Sequence, residues 1–289
     1  MRVCLMIEGQ EGVEWGHWLA LATAAEDAGL DGLFRSDHYR SIGRGDPAGS
    51  LDAWTTIAAL AARTSTLRLG TMVSPVTFRP ASVLAKSVTT ADHVSGGRVE
   101  LGIGAGWFEA EHETYRFPFL TSRARLDELD RQLAEITRQW TDAPDVWPKP
   151  VQEPHPPIIV GGRAKPRTVA AAIRFADEYN TVFPSVDDAR ERRRILDEAA
   201  QQAGREPLRF SMMIGCLAGR NQGEVDERLS RYRELIGSQP PPIVGTVDEV
   251  VAQLRAYEAV GVDRAMLQHL VHEDADMVTV LGEVAAQLT

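Results

Sequence analysis

Two cysteines in 289 residues are too few for a disulfide framework, and Cys4 and Cys216 stand far apart in no metal or redox spacing. They read as buried, reduced thiols of a cytoplasmic protein. No apolar run approaches the roughly 20 residues that cross a bilayer, so no membrane partner is expected. The opening MRVCLMIEGQEG has one arginine, a short apolar run and no small-residue cleavage site. It reads as a first strand rather than a signal peptide. Positive charge is also scarce: 31 Lys and Arg against 41 Asp and Glu give a net charge of −10. That balance argues against a nucleic-acid or anionic-membrane binder. The run Arg192-Arg193-Arg194 sits among Glu191, Asp197 and Glu198 in a helical pattern, a solvated face rather than a basic patch. No G-x-S-x-G elbow is present, which removes the common acyl-transfer arrangement. His269 and His272 form an H-x-x-H, but without a carboxylate-rich partner strand no metal is expected.

What is present is a strict alternation of two patterns. Strand-like runs begin at Arg2, Gly32, Leu67, Arg98, Pro157, Glu178, Arg209 and Arg264, and most are continuously apolar. Strands of that kind are covered on both faces, as in a parallel sheet. Helical spacing fills the intervals. It starts with Trp15, Trp18, Leu19, Ala22 and Ala25 and stops at Gly29. Further helices are expected over Leu51–Arg63, Pro80–Val94, Ser122–Trp140, Pro166–Ala176, Val186–Ala203, Gly223–Ile236, Val247–Val260 and Ala275–Gln287. Eight strand-helix units without a composition break predict an α/β fold, a (β/α)8 TIM barrel, as a single domain over 1–289. Two segments interrupt the rhythm: a proline-rich loop at 141–157, and Gly237–Thr246 with Pro240-Pro241-Pro242. Loops of that length in a barrel are expected to be lids or inter-subunit arms.

In a barrel the C-terminal strand ends carry the chemistry. Those positions are Glu8 and Gln10; Asp37, His38 and Tyr39; Thr71, Met72, Val73 and Ser74; Gly104 to Trp107; Gly161, Gly162 and Arg163; Asn180 and Thr181; Gln268 and His269. The first strand ends in Glu8-Gly9-Gln10 and lacks the His-x-His of barrel metallohydrolases. Gly161-Gly162 leads through Arg163 and Lys165 into a helix opening at Pro166. Bare N–H groups, a helix dipole and cations there make an anion cradle. The LGIGAGW stretch lets a flat ligand approach the backbone. A phosphate cradle beside a flat surface points to a phosphorylated planar cofactor.

The stretches GLDGLFRSDHY, LRLGTMVSPVTFRPASVLAK, SGGRVELGIGAGWFEAEH, PIIVGG and VGTVDEVVAQLRAYEAVGVDRAML resemble the luciferase-like monooxygenase superfamily, in particular its actinobacterial branch of F420-dependent oxidoreductases. The resemblance covers nearly the whole chain and implies the same barrel, with a deazaflavin or flavin ring at its C-terminal mouth. It implies a catalytic pair at Asp37 and His38, with His38 moving a proton to or from substrate. It places the cofactor on Thr71, Met72, Val73, Ser74, Gly106, Trp107, Gly161, Gly162 and Arg163, with a cis peptide bond at Met72–Val73. Glu8, Tyr39, Phe108, Glu111, Asn180 and His269 would line the substrate pocket. Arg79, Lys86, Arg163 and Lys165 would receive the anionic tail of F420. Trp107 replaces a glutamate of the sugar-phosphate dehydrogenase relatives, which leaves Glu109 or Glu111 to approach in its place. The expected activity is hydride transfer between F420 and a small organic substrate, in a homodimer. The alternatives are an FMN-dependent monooxygenase fed by a separate reductase, and a non-catalytic flavin-binding protein.

Overall fold

The computed structural model describes residues 1–43 and 49–288. Among them the strands are β1 (Arg2–Ile7), β2 (Gly32–Arg35), β3 (Arg68–Thr71), β4 (Ser74–Pro75), β5 (Val99–Gly104), β6 (Ile158–Gly162), β7 (Glu178–Val182), β8 (Arg209–Gly219), β9 (Ile243–Thr246) and β10 (Arg264–Gln268). The helices are α1 (Trp15–Asp27), α2 (Ala53–Ala61), α3 (Ala81–Ser95), α4 (Glu109–Tyr115), α5 (Ser122–Thr141), α6 (Pro166–Phe175), α7 (Val186–Gln202), α8 (Gln222–Leu235), α9 (Val247–Glu258) and α10 (Ala275–Ala286). Strands β1, β2, β3, β5, β6, β7, β8 and β10 follow one another around a closed parallel ring, and β10 pairs with both β8 and β1. The fold is a (β/α)8 TIM barrel.

Local signals in the sequence set the helix ends. Asp52 and Thr121 accept the amides of Thr55 and Ala124 to open α2 and α5. Ser185 and Asp188 close a capping box on α7, and Thr246 and Glu249 do the same on α9. Gly96, at φ 66°, ends α3 in the left-handed conformation that glycine tolerates best.

The cis peptide bond expected at Met72–Val73 is present and divides the third strand into β3 and β4. The structure departs from the sequence reading in two places. The expected loop 237–246 contains β9, which pairs in parallel with the C-terminal extension of β8 from Cys216 to Gly219. The second departure concerns 141–157, which is not a lid. Its Val151 and Gln152 amides donate to Asp92 at the end of α3, and Gln152 Nε2 donates to the carbonyl of Val99 at the start of β5. A segment leading from a helix into a strand arrives at the strand's N-terminal end, so this one lies across the face opposite the catalytic mouth.

Apolar side chains pack in two places. The larger core lies between ring and helices, and a smaller one, Cys4, Met6, Phe34, Met72, Ile159, Met213 and Met266, fills the barrel interior. Below the smaller core sits a buried ion cluster. Arg264 Nη2 donates to Glu100 Oε2 at 2.6 Å and to Glu178 Oε2 at 2.7 Å, and its guanidinium lies 5.0 Å from the Phe34 ring. All three charged side chains are fully buried. Removing one partner of such a group leaves uncompensated buried charge, at a cost of about 3–5 kcal/mol. Arg264→Met is therefore expected to lower stability by about that amount. A chemical-denaturation midpoint unchanged from wild type would refute it.

Candidate functional site

The strand ends at the C-terminal mouth surround a cleft of about 740 Å³. The β2 terminus enters it under tight control. Ser36 Oγ accepts the amide of Gly9 at 3.0 Å and donates to Gln10 Oε1 at 2.5 Å, which latches β2 to the end of β1. Arg35, fully buried and stacked 4.6 Å from the Trp18 ring, donates to Ser36 O and to Leu51 O. That anchors the same turn from behind.

Asp37 and His38 then point in different directions. Asp37 is buried and accepts two bonds from Arg79, at 2.6 and 3.2 Å, and a third from Ser74 Oγ at 2.7 Å. It does not line the cleft. Arg79 also donates to Asp52, whose own Oδ2 accepts the Tyr39 hydroxyl at 2.9 Å. Burial works to raise the Asp52 pKa, but the Thr55 amide and Arg79 outweigh it and bring it down to about 2. Tyr39 stacks on Phe78 with ring centroids 5.2 Å apart, behind the cleft wall. The expectation that Arg79 and Lys86 await an anionic tail is corrected here. Arg79 is neutralised by two carboxylates, and Lys86 donates to the Trp147 carbonyl, in the segment on the far side of the barrel.

His38 faces the cleft, its side chain 17% exposed. Its Nδ1 lies 2.8 Å from Glu111 Oε2, and Glu111 is itself buried. The other Glu111 oxygen accepts the amides of Tyr39 and, at 3.1 Å, Arg40. Glu111 comes from the short helix α4, which the sequence reading did not anticipate. An ionised carboxylate can only accept, so it holds the proton of neutral His38 on Nδ1 and leaves Nε2 as the free ring nitrogen. Burial opposes protonation of His38, but the hydrogen bond and charge of Glu111, helped by Glu8 and Asp37, raise its pKa above the ordinary value. Any stability linked to this raised pKa is fully present below the unfolded pKa of about 6.5 and is lost as pH rises through the folded value.

The remaining expected residues separate into those on the cleft and those behind it. Glu8 lines it, with Oε2 accepting Gln10 and Oε1 accepting Gln268 at 2.8 and 2.7 Å. Met72, Val73, Gly106, Trp107, Gly161, Gly162, Arg163 and Asn180 line it too. Trp107 is 62% exposed and meets His38 edge-on at 6.0 Å, with Phe108 at 6.1 Å from the same imidazole. Thr71 and Ser74 are buried behind the wall, bonded to Gly102 O and Asp37. His269 is buried away from the cleft with Nε2 on the Asp274 carbonyl; burial brings its pKa down to about 4, Asp274 only partly opposing it. Among the described residues no three metal-ligating side chains converge.

The glycines act differently from the sequence reading. A Cβ on Gly104 would sit 2.7 Å from Val73 Cγ2, and one on Gly102 would sit 2.0 Å from Thr71 O. Their space is taken by the protein's own Met72–Val73 bulge, which pushes Val73 into the cleft. Residues the sequence did not single out also contribute: Ser36, Ile42, Met213, Phe183, Ile236 and Leu270. Glu11 lines the cleft and accepts the amides of Ile42 and Gly43 at 2.9 and 3.1 Å, pinning that loop. No local motif marks these residues, because their place depends on how the strand ends meet.

A parallel eight-stranded barrel with an imidazole–carboxylate pair over an apolar cleft, and a Gly-Gly-Arg turn at its other end, defines an α/β barrel enzyme scaffold. The chain belongs to the luciferase-like monooxygenase family, whose model matches residues 3–242. It is 32% identical over 197 residues to the uncharacterized protein Rv0953c of Mycobacterium tuberculosis, covering 64% of this chain and 67% of that one. It is 24% identical over 255 residues to an FMNH2-dependent dimethylsulfone monooxygenase of Pseudomonas putida, covering 71% of this chain and 70% of that one. Its fold superposes on a coenzyme F420-dependent tetrahydromethanopterin reductase of Methanopyrus kandleri. The TM-score is 0.80 at 16% identity, over 100% of this chain and 99% of that one.

Replacing Glu111 with glutamine keeps the shape and removes the anion. Glu111→Gln is expected to lower the His38 pKa, read as the pH midpoint of its imidazole resonances by NMR. An unchanged midpoint would show that Glu111 does not control the protonation of His38.

Proposed function

We propose that this chain is a coenzyme F420-dependent oxidoreductase of the luciferase-like family, moving a hydride between the deazaflavin and a small organic substrate. The observation that carries the reading is His38: tied at Nδ1 to buried Glu111, it offers Nε2 to an apolar cleft with a Gly-Gly-Arg turn on its rim. The residues fit a phosphorylated planar group. Val73, Met72, Val182 and Met213 give it an apolar wall, while Gly161, Gly162 and Arg163 lie on the cleft beside the N-terminus of α6. Arg163 and Lys165 are exposed there and suit an anion.

When bound, the deazaflavin supplies a carbon that gives or takes a hydride. The protein supplies the proton. A histidine with a raised pKa keeps its proton to higher pH than a free imidazole, so it can donate from Nε2 in the reducing direction and accept there in the oxidising one. Asp37 does not react in this scheme. Its bonds to Arg79 and Ser74 hold the turn that presents His38. Glu111 fixes the imidazole's tautomer and stabilises its cation. Trp107 and Phe108 exclude water from one side of the ring.

A second reading, an FMN-dependent monooxygenase, is supported by the likeness to the Pseudomonas putida enzyme. Fluorescence titration of the purified protein with F420 and with FMN separates the two. Binding of FMN without measurable F420 affinity would overturn the F420 reading. Arg163→Ala is expected to weaken cofactor binding about tenfold, the scale of one charge-assisted hydrogen bond. His38→Gln is expected to leave cofactor affinity unchanged while lowering turnover by roughly 10²–10⁴. Full turnover in that variant would remove His38 from the chemistry.

A further inference from the structure

We propose that Asn180 is the polar contact for the imide edge of the bound ring, the pyrimidinedione N–H that flavins and deazaflavins share. The assignment rests on a cofactor of that class binding in the cleft. Asn180 lies on β7, paired in register with Gly161 of β6 on one side and Ser211 of β8 on the other. Its side chain is fully buried and lines the cleft.

The amide is half satisfied. Nδ2 donates to Ser211 Oγ at 2.8 Å and lies 3.7 Å from Met266 Sδ, while Oδ1 has no hydrogen-bond partner. The side-chain amide Nδ2 faces Ser211 on the neighbouring strand β8, and the carbonyl oxygen is the atom left over.

An isolated buried acceptor is costly, and such atoms in native proteins are normally met by a partner. Four apolar side chains of the same cleft, Met72, Val73, Val182 and Met213, cannot donate. The missing partner is a donor on a flat apolar ligand. A lactam or imide N–H at the edge of an aromatic ring has that chemistry. The ribityl phosphate at Gly162 and Arg163 would then hold one end of the cofactor and Asn180 the ring.

The test is a binding cycle, independent of turnover. Wild type and Asn180→Leu are titrated with F420 and with FMN by fluorescence, and both proteins are checked for equal thermal melts. The ring that binds is then compared with its N3-methylated form. We expect Asn180→Leu to weaken binding about tenfold, methylation to weaken wild type by a similar factor, and methylation to change the variant less than threefold. Unchanged affinity in the variant, or an equal penalty for methylation in both proteins, overturns the assignment while leaving the cofactor reading intact. If the variant melts early, the assignment stands or falls on the wild-type methylation penalty alone. Failure of wild type to bind either cofactor overturns both.

Discussion

The mouth of this barrel is organised around one buried carboxylate. Glu111 has a charge, almost no water and three donors: the His38 ring and the amides of Tyr39 and Arg40. Burying an anion is unfavourable unless it is paired and hydrogen-bonded, so α4 can dock here only if the β2 turn presents these groups together. The same contact that satisfies Glu111 therefore sets the turn, the angle of His38 and the position of Trp107 and Phe108 in the connection between β5 and α4. The docking of α4, the local turn and the tautomer of His38 are three results of one desolvated charge. On the opposite side of the turn, Asp37 and Arg79 form a second buried pair that resists its movement.

The barrel was legible in the sequence because its information is repetitive. Eight apolar runs, each followed by helical spacing, leave few arrangements that cover both faces of a parallel sheet. Strand ends follow from strand positions, so Glu8, His38, Val73, Gly161 and Asn180 were located by counting. What the counting lacked was direction. Asp37 and His38 are neighbours, yet one turns to Arg79 and the other to the cleft. Nothing in Ser-Asp-His states which way each goes, since that depends on Glu111, more than 70 residues later. Helix α4 is too short for hydrophobic periodicity to register. Segment 141–157 was misplaced because composition reports a loop, not the end of the barrel on which it lies.

The glycines of β5 show how a motif can be right for the wrong reason. LGIGAGW marks the site, but Gly102 and Gly104 are small because Thr71 and Val73 occupy the space beside them. The cleft surface there is Val73, delivered by a bulge on the neighbouring strand. Flatness in the cleft is therefore a property of two strands fitted together, and a change on either one is felt by the other.

The two ends of the barrel are separated in what they can tolerate. The ion cluster of Arg264, Glu100 and Glu178 and the proline-rich connection lie toward the N-terminal face, while every group assigned to chemistry lies at the other. One thread joins them: Arg264 stands beside Ser211 in the register of β10 on β8, and Ser211 accepts the side-chain amide of Asn180. The rim loops could be remodelled without touching the foundation, but a change at Arg264 that shifted β8 would also shift the partner of Asn180 on the cleft. The base of the barrel thus limits how far its ceiling can be redrawn.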